Sequence, residues 1–454
     1  MYIIYSGSIS MKMKLEIQNF GPINEAKIDI GKINVIAGKN ASGKTTSSKL
    51  FYCLLASVSS DGKYLADRGI VQRMIPLLYT LWQINSKEHP IEANKFLRLS
   101  ASLNDIQSMY NKPGISLREV YNESIITFEN TEFKNKESYL EQFNEINELL
   151  NIKDDIKAIY GPIMYSLLEM EFDGAEQILN NYNNSKINFY GQNNECEFKN
   201  SIITKNSDFK VDFSDNYLDC LGLQEISYIE TPYIFDFTIA VDYDLPFKFS
   251  NYHQKLLMRK LRDSPSKEDV YDKVANKNII DFQERIEKII NGKFKFDEDN
   301  DDFKFEKDGK SFTIKNTAAG LKQIGIIQLL LANRKLPKNS YLIMDEPEVH
   351  LHPEWQIKLA EIIVLLAKEL NITLYINSHS PQFIEAIEVY SKYHDINGDT
   401  NFYLTKKCNK NGKFNFNKIE NDKLQKIYRN LGDPYDIIDE INGMNIVKEL
   451  KGSD

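Results

Sequence analysis

The sequence predicts an α/β fold: a mixed sheet with an antiparallel β subdomain, interrupted by a helical insertion. Three observations carry this expectation. A glycine-rich loop, Gly38 to Thr45, joins a short apolar strand to a helix. A second apolar strand ends in the adjacent carboxylates Asp345 and Glu346, and a helix and a third strand follow it. Between these regions, Tyr64 to Asn181 repeats its apolar residues every three or four positions, the period of a helix.

In chain order, residues 1–10 lack the basic region and cleavage site of a secretory signal and read as an extension ahead of Met11. Met13 to Gln18 and Ala26 to Ile30 alternate apolar and polar residues about a Gly21-Pro22 turn, which predicts an antiparallel pair. Asn34 to Ala37 is a strand that enters the glycine-rich loop. Ser47 to Ala56 then reads as a helix with Leu50, Cys53 and Leu54 on its apolar face.

The insertion is placed at 64–184, between core segments 1–63 and 185–454. Pro76, Pro113 and Gly161-Pro162 are expected to interrupt its helices, because proline lacks the N–H that a helix interior uses. Trp82, Phe96 and Tyr139 suit either its core or a recognition surface. No sustained heptads mark a coiled-coil arm. Beyond it, Lys186 to Tyr190, Glu197 to Thr204, Phe209 to Phe213 and Glu225 to Glu230 read as strands, and Tyr252 to Ile290 as mostly helical.

Phe294, Phe296, Phe303 and Phe305 alternate with polar residues around Asp297 to Asp302, which predicts a hairpin with a solvated acidic tip. Asp308-Gly309 marks another tight turn. Thr317 is placed to cap a helix over Ile324 to Ala332. Tyr341 to Met344, Trp355 to Leu370 and Thr373 to Ile376 then form a parallel βαβ unit.

No stretch approaches the roughly 18 apolar residues of a membrane helix, so no membrane span and a cytoplasmic location are expected. A formal charge of -9 argues against nonspecific coating of nucleic acid, while a local DNA contact stays open. Cys53, Cys196, Cys220 and Cys408 lie far apart without CxxC spacing, so reduced thiols are expected rather than zinc or a disulfide.

Gly38 to Thr45 fits the pattern GxxxxGK[ST], in the strand-to-helix setting that its mechanism needs. Gly38, Asn40, Ala41, Ser42, Gly43 and Thr46 would turn backbone N–H groups and the helix N-terminus toward phosphates. Lys44 would neutralise the β- and γ-phosphates. The Thr45 hydroxyl would hold Mg2+, with Asp345 reaching the ion through its water shell. Glu346 would polarise the attacking water. ATP and Mg2+ are the cofactors this chemistry implies. His379 follows the strand Thr373 to Ile376 and so shares the sheet edge with Asp345, in reach of phosphate. Thr317, Ala318, Ala319 and Gly320 are small residues before a helix, as a second phosphate-binding surface requires.

These four motifs stand in the order of an ABC-type, SMC-like P-loop ATPase. More narrowly, Asp345-Glu346-Pro347-Glu348-Val349-His350-Leu351-His352-Pro353 with Gln356, then Asn377-Ser378-His379-Ser380-Pro381, resembles the stand-alone ATPases of prokaryotic antiphage systems. The OLD-family ATPase domain and the Septu ATPase are similar. Ile427-Tyr428 and Leu431-Gly432-Asp433-Pro434-Tyr435-Asp436 resemble the ending of that group.

The resemblance implies ATP hydrolysis in a homodimer, or a higher oligomer built on it, that sandwiches two ATP molecules. Thr317 to Gly320 then act in trans as the signature, and His350 and His352 belong to a dimer-facing loop rather than a metal site. It implies a separate effector nuclease as partner. The signature departs from the transporter-like Ser-Gly-Gly, and Gln177 and the turn Glu230-Thr231-Pro232 are alternative candidates for the Q-loop. After His379 no Glu with a downstream Asp-x-Asp marks a Toprim nuclease. The alternative is an SMC-like repair or chromosome-maintenance ATPase acting on DNA, against which the missing coiled coils stand. A transporter subunit ranks last, because that class lacks such an insertion.

Overall fold

The computed structural model describes residues 11–87, 89–108, 116–132, 136–152, 155–172, 184–193, 195–205, 208–214, 216–237, 251–263, 277–314, 319–409 and 411–432, with the single residues 174, 317 and 441. The chain divides into two compact units, Ala56–Ser166 and the remainder before and after it.

Among the described residues, the larger unit is built on an eleven-stranded sheet. Strands β1 (Lys12–Phe20) and β2 (Ile23–Ile30) pair antiparallel through Gly21-Pro22, where Gly21 takes a φ of 54°. Next come β3 (Ile33–Ala37) and helix α1 (Lys44–Ala56). From β1 the sheet extends antiparallel through β4 (Ser185–Gln192), β5 (Glu197–Lys205) and β6 (Asp208–Asp212).

The other half is largely parallel and contains β7 (Ile226–Ile229), β11 (Tyr341–Asp345), β12 (Thr373–Ser378) and β13 (Thr400–Lys407). The hairpin partner β14 (Phe414–Ile419) joins β13 to β2. Strands β3, β7, β11 and β12 bury every residue, which is why they read as continuous apolar runs rather than alternating ones. Their registers pair Asp345 with Asn377 and Ser378 with Ala37, so the C-terminal ends of β3, β12 and β11 share one edge.

A separate three-stranded antiparallel sheet holds β8 (Lys293–Asp297), β9 (Asp302–Lys307) and β10 (Lys310–Thr313). Phe294, Phe303 and Phe305 bury its inner face, and Asp308 and Gly309 turn at φ 51° and 73°, the left-handed pair that a tight hairpin demands.

The smaller unit holds α2 (Ser60–Asn85), α3 (Pro90–Ser108), α4 (Leu117–Glu129), α5 (Lys136–Ile152) and the start of α6 (Ile156–Glu171). Contrary to expectation, neither Pro76 nor Gly161-Pro162 interrupts its helix. A proline inside a helix costs about 3 kcal/mol. Burial of Met74, Leu77, Leu78 and Leu81 around Pro76 offsets that loss. Phe96 is fully buried, and Trp82 and Tyr139 pack against the same core, so these aromatics are structural. Pro113 lies outside the described residues.

The cysteine expectation is also corrected: Cys196 and Cys220 form a disulfide, with a Cα separation of 5.6 Å. Cys196 directly precedes β5, and Cys220 sits on the short helix α7 (Tyr217–Leu221), which folds back on that strand. Asn216 secures this return by donating to the Glu197 carbonyl at 2.8 Å. Such a fold-driven encounter leaves no trace in cysteine spacing.

Candidate functional site

The loop between β3 and α1 lies on the shared sheet edge. A Cβ on Gly38 would sit 1.9 Å from Thr405 Oγ1 of β13, so no side chain fits there. Gly43 takes a φ of 91°, which L residues avoid. The Gly38 N–H donates to the Ser378 carbonyl at 3.2 Å and ties the loop to the end of β12. Helix α1 begins at Lys44, so its free N–H groups face the loop.

Lys44 is buried, and its Nζ donates to the carbonyls of Gly38 at 2.9 Å and Lys39 at 3.1 Å. The hydroxyl of Ser42 is buried without a partner, a donor waiting for an anion. Asn40 and Ala41 are exposed at the tip, and Thr46 is half-buried in the first turn of α1. This cradle fits a polyphosphate.

Thr45 donates to Asp345 Oδ2 at 2.5 Å, and Asn377 Nδ2 donates to Asp345 Oδ1 at 2.9 Å. Tyr228 OH approaches the same carboxylate at 3.4 Å. Burial raises the pKa of Asp345, the Thr45 and Asn377 bonds oppose the rise, and the charges of Glu346 and Glu230 add to it. A buried carboxylate under this pressure, next to a hydroxyl ligand, suits a small hard cation. Thr45 and Asp345 would hold Mg2+, which supplies positive charge to phosphate oxygens when bound.

Glu346 sits one residue beyond β11 in a left-handed conformation, φ 47°, an uncommon geometry for a non-glycine residue that concentrates at functional sites. Its Oε1 lies 3.3 Å from Lys44 Nζ and 3.3 Å from His379 Nδ1. His379 holds the pKa of Glu346 down, burial opposes, and Lys44 assists. Reciprocally, Glu346 raises the pKa of His379, partial burial lowers it, and Glu348 adds to the rise.

Glu348 carries no role in the sequence pattern, yet it organises the loop Ser378 to Ser380. Its buried Oε1 accepts from Ser378 Oγ at 2.6 Å, His379 N–H at 3.0 Å and Ser380 N–H at 3.2 Å. Losing that acceptor leaves donors unpaired at about 1–3 kcal/mol each. Glu348→Ala should therefore lower kcat about tenfold or more through a misplaced His379. Glu348→Gln, which keeps an oxygen acceptor, should retain most activity. Steady-state ATPase assays decide: an Ala variant as fast as wild type would show that the loop is held by other contacts.

Thr317 does not cap the following helix. Helix α10 (Ala319–Ala332), the next after α9 (Lys277–Ile290), starts two residues later, and the Thr317 hydroxyl instead points to the Thr313 carbonyl at 3.5 Å. Gly320 is buried where a Cβ would come within 2.4 Å of Leu351 Cδ2, so this segment packs on the loop that follows Asp345 and Glu346. Ala318 lies outside the described residues, as does Gln177. His352 caps α11 (Pro353–Leu370), accepting from the Glu354 N–H at 3.4 Å, and His350 lies edge-on to Tyr233 at 5.4 Å. Among the described residues no cluster of three or more His, Cys, Asp or Glu could hold a metal ion.

A phosphate cradle, a cation-ready aspartate and a glutamate beside a histidine on one parallel sheet edge define a P-loop nucleoside-triphosphatase. The sequence pattern of the family described as AAA ATPase domain matches residues 11–384, and the chain belongs to that family. It is an ATPase.

No curated protein matches the chain. Among solved structures, it is similar to the SMC head domain from Thermotoga maritima, with 10% identity, a TM-score of 0.40 and coverage of 90% of this chain and 99% of the other. An SmcHead bound to the C-winged helix domain of ScpA shows 11% identity, a TM-score of 0.41 and coverage of 91% and 98%. The Smc head domain bound to the C-terminal domain of ScpA derived from Pyrococcus furiosus shows 10% identity, a TM-score of 0.42 and coverage of 95% and 100%. No helix among the described residues is long and apolar enough to cross a membrane.

Proposed function

We propose that the chain is a nucleotide-dependent switch in which two copies sandwich two Mg2+-bound ATP molecules, with Thr317 to Gly320 of each completing the site of the other. One observation supports this most. Lys44 and Asp345 are buried, but Glu346 and His379 keep 31% and 41% of their side chains exposed, so one side of the site is open for a second surface to cover.

Complementation tests the sandwich. Thr317→Arg places a bulky cation on the signature segment, and Lys44→Ala empties the phosphate cradle; each alone should be inactive. Mixed in equal amounts, random pairing leaves one intact composite site in half of the dimers, so roughly a quarter of wild-type activity should return. A mixture as inactive as its components would overturn the sandwich.

Within this scheme the chain is the cytoplasmic ATPase and sensor of an antiphage system, controlling a separate nuclease. Support comes from the likeness of the Asp345 to Pro353 and Asn377 to Pro381 segments to defence ATPases. The insertion 64–184, which holds none of the ATP motifs, is the recognition element of this scheme. Capture of a nuclease encoded beside this chain, by wild type and by a variant with 64–181 replaced by a Gly/Ser linker, tests both parts. Equal recovery by the two refutes the insertion's role. No recovery, with hydrolysis stimulated by DNA alone, favours an SMC-like ATPase acting on DNA.

A further inference from the structure

Behind the sheet edge lies a buried charge cluster that the mechanism above does not use. His253, second residue of α8 (Tyr252–Arg262), is 1% exposed, and Glu171, last residue of α6, is 2% exposed. Glu171 grips it twice: Oε2 lies 2.7 Å from the ring Nδ1, and Oε1 accepts the His253 backbone N–H at 2.8 Å. On the opposite side of the ring, Nε2 faces Glu230 Oε2 at 3.3 Å. Glu230 follows β7, one position beyond the pairing of Ile229 with Met344, which sets it beside Asp345 on the sheet edge.

Neighbours from α1, β7 and α8 pack around the cluster. Lys49 of α1 lies 3.8 Å from Glu230 and donates to the Glu171 carbonyl at 3.4 Å. Gln254 and Asn251 donate to Glu230 at 2.6 Å and 3.2 Å. Tyr228 stacks on the imidazole at 4.2 Å, and Tyr52 meets it edge-on at 5.9 Å. The Tyr228 hydroxyl in turn meets Ser48 Oγ of α1 at 2.9 Å and Asp345 Oδ2 at 3.4 Å.

Burial alone would lower the pKa of His253, but Glu171 and then Glu230 outweigh it and raise it to about 9, so the ring is charged at neutral pH. Two carboxylates and two cations then balance. Buried ion pairs add little net stability, because desolvation consumes most of their attraction. Their value lies in fixed geometry, and here that geometry ends at Asp345.

We propose that His253 is a positioning residue for ATP hydrolysis: gripped by Glu171 and in ion-pair reach of Glu230, its ring fixes Tyr228 and Glu230 against Asp345 and the loop helix α1. The inference rests on the ATPase assignment. His253→Gln removes the central cation and leaves two carboxylates facing each other across a neutral amide. It should lower kcat about thirtyfold while the dissociation constant for ATP stays within about threefold, the signature of a misplaced catalytic group. His253→Gln with Glu171→Gln removes one charge of each sign and should recover kcat to within about threefold of wild type, a coupling that independent packing losses do not produce.

Should His253→Gln alone fail to fold, Tyr228→Phe decides, since it deletes the hydroxyl contact to Asp345 and keeps the stacked ring; it should lower kcat about fivefold with ATP affinity unchanged. An unaffected His253→Gln overturns the inference, as does a double variant no faster than the single one, or an unaffected Tyr228→Phe where that variant decides. An inactive wild type overturns the ATPase assignment and the inference with it, whereas an active wild type beside an unaffected variant overturns the inference alone.

Discussion

Lys44→Ala is expected to weaken ATP binding roughly a hundredfold and to abolish hydrolysis. Lys44 is buried in the loop with its ammonium held by the Gly38 and Lys39 carbonyls, pre-positioned where the β- and γ-phosphates would lie. Truncating one partner of a buried charge pair costs about 2–5 kcal/mol, and each 1.4 kcal/mol is tenfold, so ATP affinity should fall roughly a hundredfold. The substitution also removes the cation beside Glu346, leaving that carboxylate with His379 as its charged partner of opposite sign. Lys44→Met, which restores the packing of the stem without the charge, should behave like the alanine variant. Fluorescent-nucleotide titration checks binding and phosphate release checks turnover; wild-type values in either variant would remove Lys44 from the site.

Much of this site was legible because its motifs sit where a strand turns into a helix. Lys44, Thr45, Asp345, Glu346 and His379 were each readable from a local pattern, and the parallel registers of β3, β12 and β11 bring them to one edge. What escaped notice lies on partners distant in the chain. Asn377 pairs with Asp345 only through the strand register, Tyr228 reaches Asp345 from a strand more than a hundred residues earlier, and Thr405 forces glycine at position 38 from β13.

The same distinction explains the fold-level errors. Residues Thr400–Lys407 and Phe414–Ile419 carry only weak strand signals, although β13 lies directly against β3: the apolar run Phe402-Tyr403-Leu404 is three residues long, and the Phe-Asn alternation of β14 ends after four residues at Lys418. Proline-based helix breaks failed because tertiary burial outweighed one missing hydrogen bond. Cys196 and Cys220 meet through the packing of α7 on β5, and neither local composition nor spacing encodes that approach.

Glu346→Gln should separate binding from chemistry. The amide preserves the shape of the side chain beside Lys44 and His379, so the phosphate cradle and the Asp345 to Thr45 contact stay intact and ATP affinity should hold within a few-fold. Turnover should not survive. A positioned acid–base group is worth about 10²- to 10⁴-fold, and kcat should fall by that order. Because His379 keeps the pKa of Glu346 below the ordinary glutamate range, the side chain is a carboxylate at neutral pH. Its main contribution is therefore to orient and polarise the water while fully ionised, a role that a neutral amide cannot fill. If two copies close around ATP, blocking hydrolysis removes the step that releases them, and the variant should accumulate as an ATP-dependent dimer. Light scattering with and without ATP, run beside a phosphate-release assay, reads both consequences. Wild-type turnover would take Glu346 out of the chemistry, while a stalled variant that stays monomeric where the wild type associates would keep the chemistry and sink the sandwich.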